Sequence, residues 1–153
     1  MRKFAELLRF TLVSPETVAL LIPFLGPVYF PDFVELFRKR IELDLMFSLA
    51  ASGLAIGMLS LSYSQGAEIL APSGAKKVIL DWPDYRGLKA RIIVSWLWCV
   101  LGASSAIIAL YMVSTNRHAL WGTSLLLGGI LSAATATALV SVARISSREI
   151  FRE

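Results

Sequence analysis

Three stretches of the chain, Leu45 to Ser64, Ile92 to Asn116 and His118 to Ala143, contain no Asp, Glu, Lys or Arg. At about 1.5 Å of helical rise per residue each can cross a hydrocarbon core of about 30 Å. The pattern therefore predicts transmembrane helices over 45–64, 92–113 and 119–143. A fourth apolar stretch, Thr17 to Pro31, is charge-free for only 15 residues and carries Pro23, Pro27 and Pro31 at intervals of four. Its beginning nevertheless reads as a helix start. In "SPET", Ser14 stands as N-cap, Pro15 takes the first helical position, and Glu16 falls in the first turn, where an acid suits the helix dipole. Glu16 is accordingly expected to be an interfacial cap and not a buried carboxylate.

The basic residues decide whether this fourth stretch, 15–31, crosses. Cytoplasmic segments hold the excess of Lys and Arg. With four spans, Arg2, Lys3, Arg9, Lys76, Lys77, Arg86, Lys89, Arg91, Arg144, Arg148 and Arg152 share one side, against Arg38, Lys39, Arg40 and Arg117 on the other. Without a crossing at the prolines the two sides nearly balance, so the asymmetry favours four spans with both termini cytoplasmic. The "RKR" at 38–40 then falls outside, but Glu35 with Lys39, Arg38 with Glu42 and Arg40 with Asp44 stand four apart and would neutralise it on a helix over 32–44 leading into the next span. The basic pI of about 9.5 reflects membrane orientation and attraction to anionic lipid, with no direct nucleic-acid partner implied.

A composition 56% hydrophobic and 17% charged, with mean hydropathy +0.68, agrees with a single all-α integral membrane domain. Residues 2–12, "RKFAELLRFTL", set Phe4, Leu7, Leu8 and Leu12 against Arg2, Lys3, Glu6 and Arg9, the pattern of an interfacial amphipathic helix. Small residues recur every three or four positions in the spans: Ala50, Gly53, Gly57, Ser60 and Ser64 in the second, and Ser95, Cys99, Gly102, Ala106 and Ala109 in the third. The last span has two such faces, Ser124, Gly128, Ser132 and Ala136 on one and Gly129, Ala133 and Thr137 on the other. Small residues let backbones approach where lipid supplies no hydrophobic drive. One of the two faces suits packing within the monomer and the other self-association, so a homo-oligomer is expected; the alternative is a tight four-helix bundle that uses both faces and forms no oligomer. Tyr29, Phe30, Tyr63, Trp96, Trp98, Tyr111 and Trp121 are placed as interfacial anchors.

Each proline removes an N–H, so the carbonyls of Ala19, Pro23 and Pro27 lose their helical partners. Four-residue steps keep prolines and freed carbonyls on one stripe. At membrane depth such backbone survives only against protein or water. The stripe, with Ala19, Pro23 and Pro27, is expected to face a neighbouring helix or the central water-filled cavity of an oligomer, or to pack as a flexible kink inside the monomer.

The segment 65–91 is the largest soluble feature. Its "VILDWPDYRGLKAR" should be extended at Trp82, then restart a helix at Pro83 and Asp84. Trp82, Asp84, Tyr85, Arg86 and Lys89 form a compact surface for docking a cytosolic protein, with the tail 144–153 beside it. The catalytic inventory is nearly empty: His118 is the one histidine and Cys99 the one cysteine, and neither a metal-ligand set, a phosphate-binding loop nor a nucleophile elbow is present. No enzyme activity and no cofactor are expected. Ionisable residues are missing from the span centres, which weakens a coupled transporter.

In its order of parts the chain resembles small four-span bacterial membrane proteins of phage-exclusion and phage-defence systems, among them the membrane protein of the lambda exclusion system and the membrane component of the Kiwa system. The corresponding parts are "LLIPFLGPVYF", "WPDYRGLKAR" and "RISSREIFRE". The resemblance implies a non-enzymatic subunit of the bacterial inner membrane, a sensor or effector acting with a cytosolic partner. It transfers no functional residue. The alternatives are a small channel or permeabilising subunit, and a structural accessory subunit of a larger membrane complex.

Overall fold

The computed structural model describes residues 14–40, 45–70, 85–115 and 118–150. These form five helices: α1 (Pro15–Tyr29), α2 (Pro31–Arg40), α3 (Leu45–Leu70), α4 (Tyr85–Ser114) and α5 (Ala119–Ile150). There is no strand among them. The expected helix over 2–12, the docking residues Trp82 and Asp84, and the pairing residues Glu42 and Asp44 lie outside the described residues.

Three helices are long and apolar enough to cross a membrane, within Met46–Leu70, Tyr85–Val113 and Ala119–Ser147. The pair α1 and α2 makes a fourth candidate if its two helices form one span, but they are bent by 108° at their junction. Phe30 is the break, and its N–H bonds Gly26 O at 2.7 Å while Pro31 opens α2. Val34 tucks against the inside of this corner. A Cβ added to Gly26 would stand 2.9 Å from Val34 Cγ2, so only glycine leaves room for the turn to close. α1 begins as its sequence requires, with Thr17 N donating to Ser14 Oγ and O, and remains helical through Pro23 and Pro27.

α5 is the hub, packed on each of the other helices, most extensively on α4. Its two small-residue faces serve two different neighbours. Gly129 meets α4, where an added Cβ would lie 2.5 Å from Gly102 O. Gly128 meets α1, where it would lie 2.8 Å from Leu20 O. Ala133, Ala136 and Thr137 are buried beside them, as are Ser124 and Ser132. The expectation that one face of this helix is kept for self-association is therefore corrected: both are filled within the monomer, because α1 folds back along the side of α5 that α4 leaves open.

In α4 the small stripe Ser95, Cys99, Gly102, Ala106 and Ala109 is buried throughout. α3 behaves differently. It turns Ser48, Ala51, Ser52, Ala55 and Ser62 inward, and leaves Ala50, Gly53, Gly57, Ser60 and Ser64 exposed. A Cβ at Gly53 or Gly57 would meet nothing within 4 Å. The inward choice brings hydroxyls to carbonyls: Ser52 Oγ donates toward Ala106 O (3.1 Å) and Ser48 O (2.8 Å), and Thr137 Oγ1 toward Met58 O (3.1 Å) and Ala133 O (2.8 Å). Glycine has no such group to offer, and interhelical bonds of this kind average about 0.6 kcal/mol in a membrane bundle.

Of the aromatic residues expected as anchors, Tyr29, Phe30, Tyr63 and Tyr111 are exposed, and the Tyr63 ring leans on Trp96, whose Nε1 donates to Ser62 O at 3.0 Å. Trp98 is not an interfacial anchor. It is 8% exposed and packs in the core with Val94, Cys99 and Ala136, since it follows Ser95 by three residues on the inward stripe of α4.

Candidate functional site

The helices do not end where the charge-free runs end. α3 continues to Leu70, α4 starts at Tyr85, and α5 runs to Ile150, so that 65–70, 85–91 and 144–150 are helical although their polarity implies a loop and a tail. A helix stops for want of backbone partners, not because its side chains turn polar. With 32 residues α5 is about 48 Å long, and α4, with 30, about 45 Å. Both exceed a hydrocarbon core of about 30 Å.

Polar contacts draw the excess lengths together at one end. Ser141 Oγ donates to Gln65 Oε1 at 2.7 Å, Arg144 Nη2 reaches Glu68 Oε2 at 2.7 Å and Oε1 at 2.9 Å, and Tyr85 OH donates to Leu70 O at 3.2 Å. The ends of α3, α4 and α5 thus form one charged knob. Of the expected docking residues, Arg86 and Lys89 are exposed on it, and Tyr85 is half-buried by its bond to Leu70. Gln65, Glu68, Ser141 and Arg144 were not singled out from the sequence. Their pairing joins positions 76 residues apart, and no local pattern links them.

Beneath the knob a pocket of about 190 Å3 opens between α4 and α5, lined by Leu88, Arg91, Ile92 and Ser95 on one side and Leu139, Val140, Val142 and Ala143 on the other. Ser95 closes its inner end. There it meets Glu16: Ser95 Oγ donates to Glu16 Oε1 at 3.1 Å, and Glu16 is only 2% exposed. The interfacial-cap reading of Glu16 is overturned. α1 packs along α5, and the side of its first turn that carries Glu16 and Thr17 is covered where it reaches Ser95 of α4. Its other oxygen, Oε2, has no hydrogen-bond partner among the described residues. Cys99, one turn below Ser95, is buried with its Sγ 3.8 Å from Thr137 Oγ1.

The proline stripe answers to packing as well. Ala19, Pro23 and Pro27 are half-buried, and lie on the same arc of α1 as Leu20 and Gly26. Those two contact α5, at Gly128 and Ser124, while Phe24 stacks on Trp121 at 5.1 Å. Val18, Leu21, Ile22 and Leu25 take the outward arc. The arc of α1 that holds the stripe thus lies beside α5 of the same chain.

At the far end of α1, α2 carries the basic cluster. Arg38 pairs with Glu35, three residues before it, at 2.9 and 3.0 Å, and Lys39 approaches Glu35 at 3.6 Å. The hydrogen bond from Arg38 holds the Glu35 carboxyl below its ordinary range, and Glu35 in turn raises Arg38. Among the described residues no group of three His, Cys, Asp or Glu converges as a metal site. Compared with known proteins, the chain has no match among protein-family models, curated proteins or solved structures.

Proposed function

We propose that this chain is a non-catalytic, multi-pass subunit of the bacterial inner membrane, with four spans and both termini in the cytoplasm, that recruits a cytosolic protein to its charged knob. The setting implied by the order of its parts is exclusion of, or defence against, phage, with the subunit as membrane sensor or effector. The observation that carries the reading is the joining of three helix ends beyond the length a bilayer requires. Gln65–Ser141, Glu68–Arg144 and Tyr85–Leu70 hold that end together, and it presents Arg86 and Lys89. A helix end fixed in this way offers a partner a preorganised surface.

Self-association belongs to the same proposal. The exposed face of α3, with Gly53 and Gly57 at its centre and Leu49, Leu54, Ile56 and Leu61 beside it, suits close contact with a second copy.

The test is phage plating on cells that express the chain with the genes beside it. Lowered plating that is restored by Arg86→Glu with Lys89→Glu, at unchanged membrane abundance, supports the proposal. Undiminished plating by every phage tried, or full protection by the double variant, counts against it. Disulfide crosslinking of a Gly57→Cys variant reads out the α3 contact separately.

A further inference from the structure

The pocket between α4 and α5 has a character that neither partner docking nor bundle packing uses. Leu88 and Ile92 of α4 face Leu139 and Val142 of α5 across it, so its walls are apolar. Arg91 stands at its mouth, exposed and without an ion pair among the described residues. Arg86 and Lys89, equally exposed, extend the positive charge along the same end of α4. The charge-free run begins at Ile92, which sets Arg91 at the level where hydrocarbon gives way to headgroups. A free cation directly above an apolar cleft at this depth is complementary to an amphiphile with an anionic head.

We propose that this pocket binds an anionic phospholipid, with the phosphate on Arg91 and the upper part of one acyl chain against Leu88, Ile92, Leu139 and Val142. A soluble anion lacks the chain that these walls accept. A zwitterionic lipid brings an ammonium that offsets the attraction of Arg91. The Glu16 carboxyl does not oppose the phosphate at close range, because it lies behind Ser95 and takes no part in the pocket lining. The site is independent of the cytosolic partner, since Arg91 and Val142 carry it and the docking residues Arg86 and Lys89 enter its test only as a comparison.

The experiment is native mass spectrometry of the full chain released from nanodiscs of phosphatidylcholine with graded phosphatidylglycerol. The wild-type chain is expected to retain phosphatidylglycerol in preference to phosphatidylcholine. One basic residue near a membrane surface is worth about fivefold in attraction to anionic lipid. Arg91→Gln should lower the preference by more than that factor, and Arg86→Gln with Lys89→Gln by less than Arg91→Gln for each residue replaced. Val142→Trp, at a position 60% exposed where the fold tolerates bulk, should fill the cleft and lower retention with Arg91 still in place. Equal retention of the two lipids by the wild-type chain overturns the proposal. So does a loss per residue from the Arg86 and Lys89 pair as large as that from Arg91→Gln together with no effect of Val142→Trp, because a diffuse surface field would then account for the binding.

Discussion

Glu16 and Ser95, 79 positions apart, meet at 3.1 Å inside the bundle and fasten the first turn of α1 to the first half of α4. Among the described residues no other donor reaches the carboxyl, whose Oε2 is buried without a partner. Leaving a buried polar group unsatisfied costs about 1–3 kcal/mol, whereas replacing both partners by apolar groups of similar shape can be nearly neutral.

This asymmetry predicts an ordered series. Glu16→Ala, which strands Ser95 and opens a void, should lower stability by about 1–3 kcal/mol. Glu16→Gln keeps an acceptor for Ser95 and should stay within about 1 kcal/mol of wild type. Glu16→Leu combined with Ser95→Ala should recover most of the loss. Reversible unfolding in mixed micelles measures all three, and a double variant no better than Glu16→Ala would show that the bond itself contributes more than its burial costs.

Glycines of one sequence pattern should separate into two classes. At Gly129 an added Cβ meets the Gly102 carbonyl at 2.5 Å, and backbone on both helices must move. Gly129→Ala is expected to destabilise by about 1–3 kcal/mol, as overpacking does. Gly53→Ala and Gly57→Ala meet open space. They should leave the monomer as stable or gain up to about 1 kcal/mol from helix propensity. The same unfolding assay, run at low protein concentration, compares them.

Thr137 joins α5 to α3 through Met58 O, 79 positions away. Thr137→Val preserves the shape of the side chain and removes only the hydroxyl. The loss should be about 0.6 kcal/mol, and a Thr137→Ser variant should retain more stability than the valine if the hydroxyl matters more than the methyl.

On α2 the pH dependence follows from Glu35. Its carboxyl is held below the ordinary value of 4.5 by Arg38, so the folded helix binds this proton more weakly than the unfolded chain. The pair's contribution is therefore complete above about pH 4.5 and is lost as pH falls through the folded-state value. An NMR titration of the Glu35 side chain should show a depressed midpoint that rises toward 4.5 in Arg38→Gln.

The long apolar helices, the helical class and the start of α1 at Ser14 were all legible along the chain, whereas the break at Phe30 falls inside the single span expected over 15–31. The first three depend on local quantities: uninterrupted apolar length, a capping hydroxyl, and a ring that removes an N–H. So was the inward stripe of α4, because small residues at helical spacing there had no exposed alternative to compete with them. Which face of α3 turns inward was not legible, since Gly53 with Gly57 and Ser48 with Ser52 both offer small residues. The choice rests on carbonyls presented by α4 and hydroxyls presented by α5. Glu16 could not be placed for the same reason. A carboxylate in the first turn of a helix reads as a surface cap until another helix lies over it. Only the tertiary structure, by folding α1 along α5 and against Ser95, decides that it is inside, because burial is a property of neighbours far away in the chain.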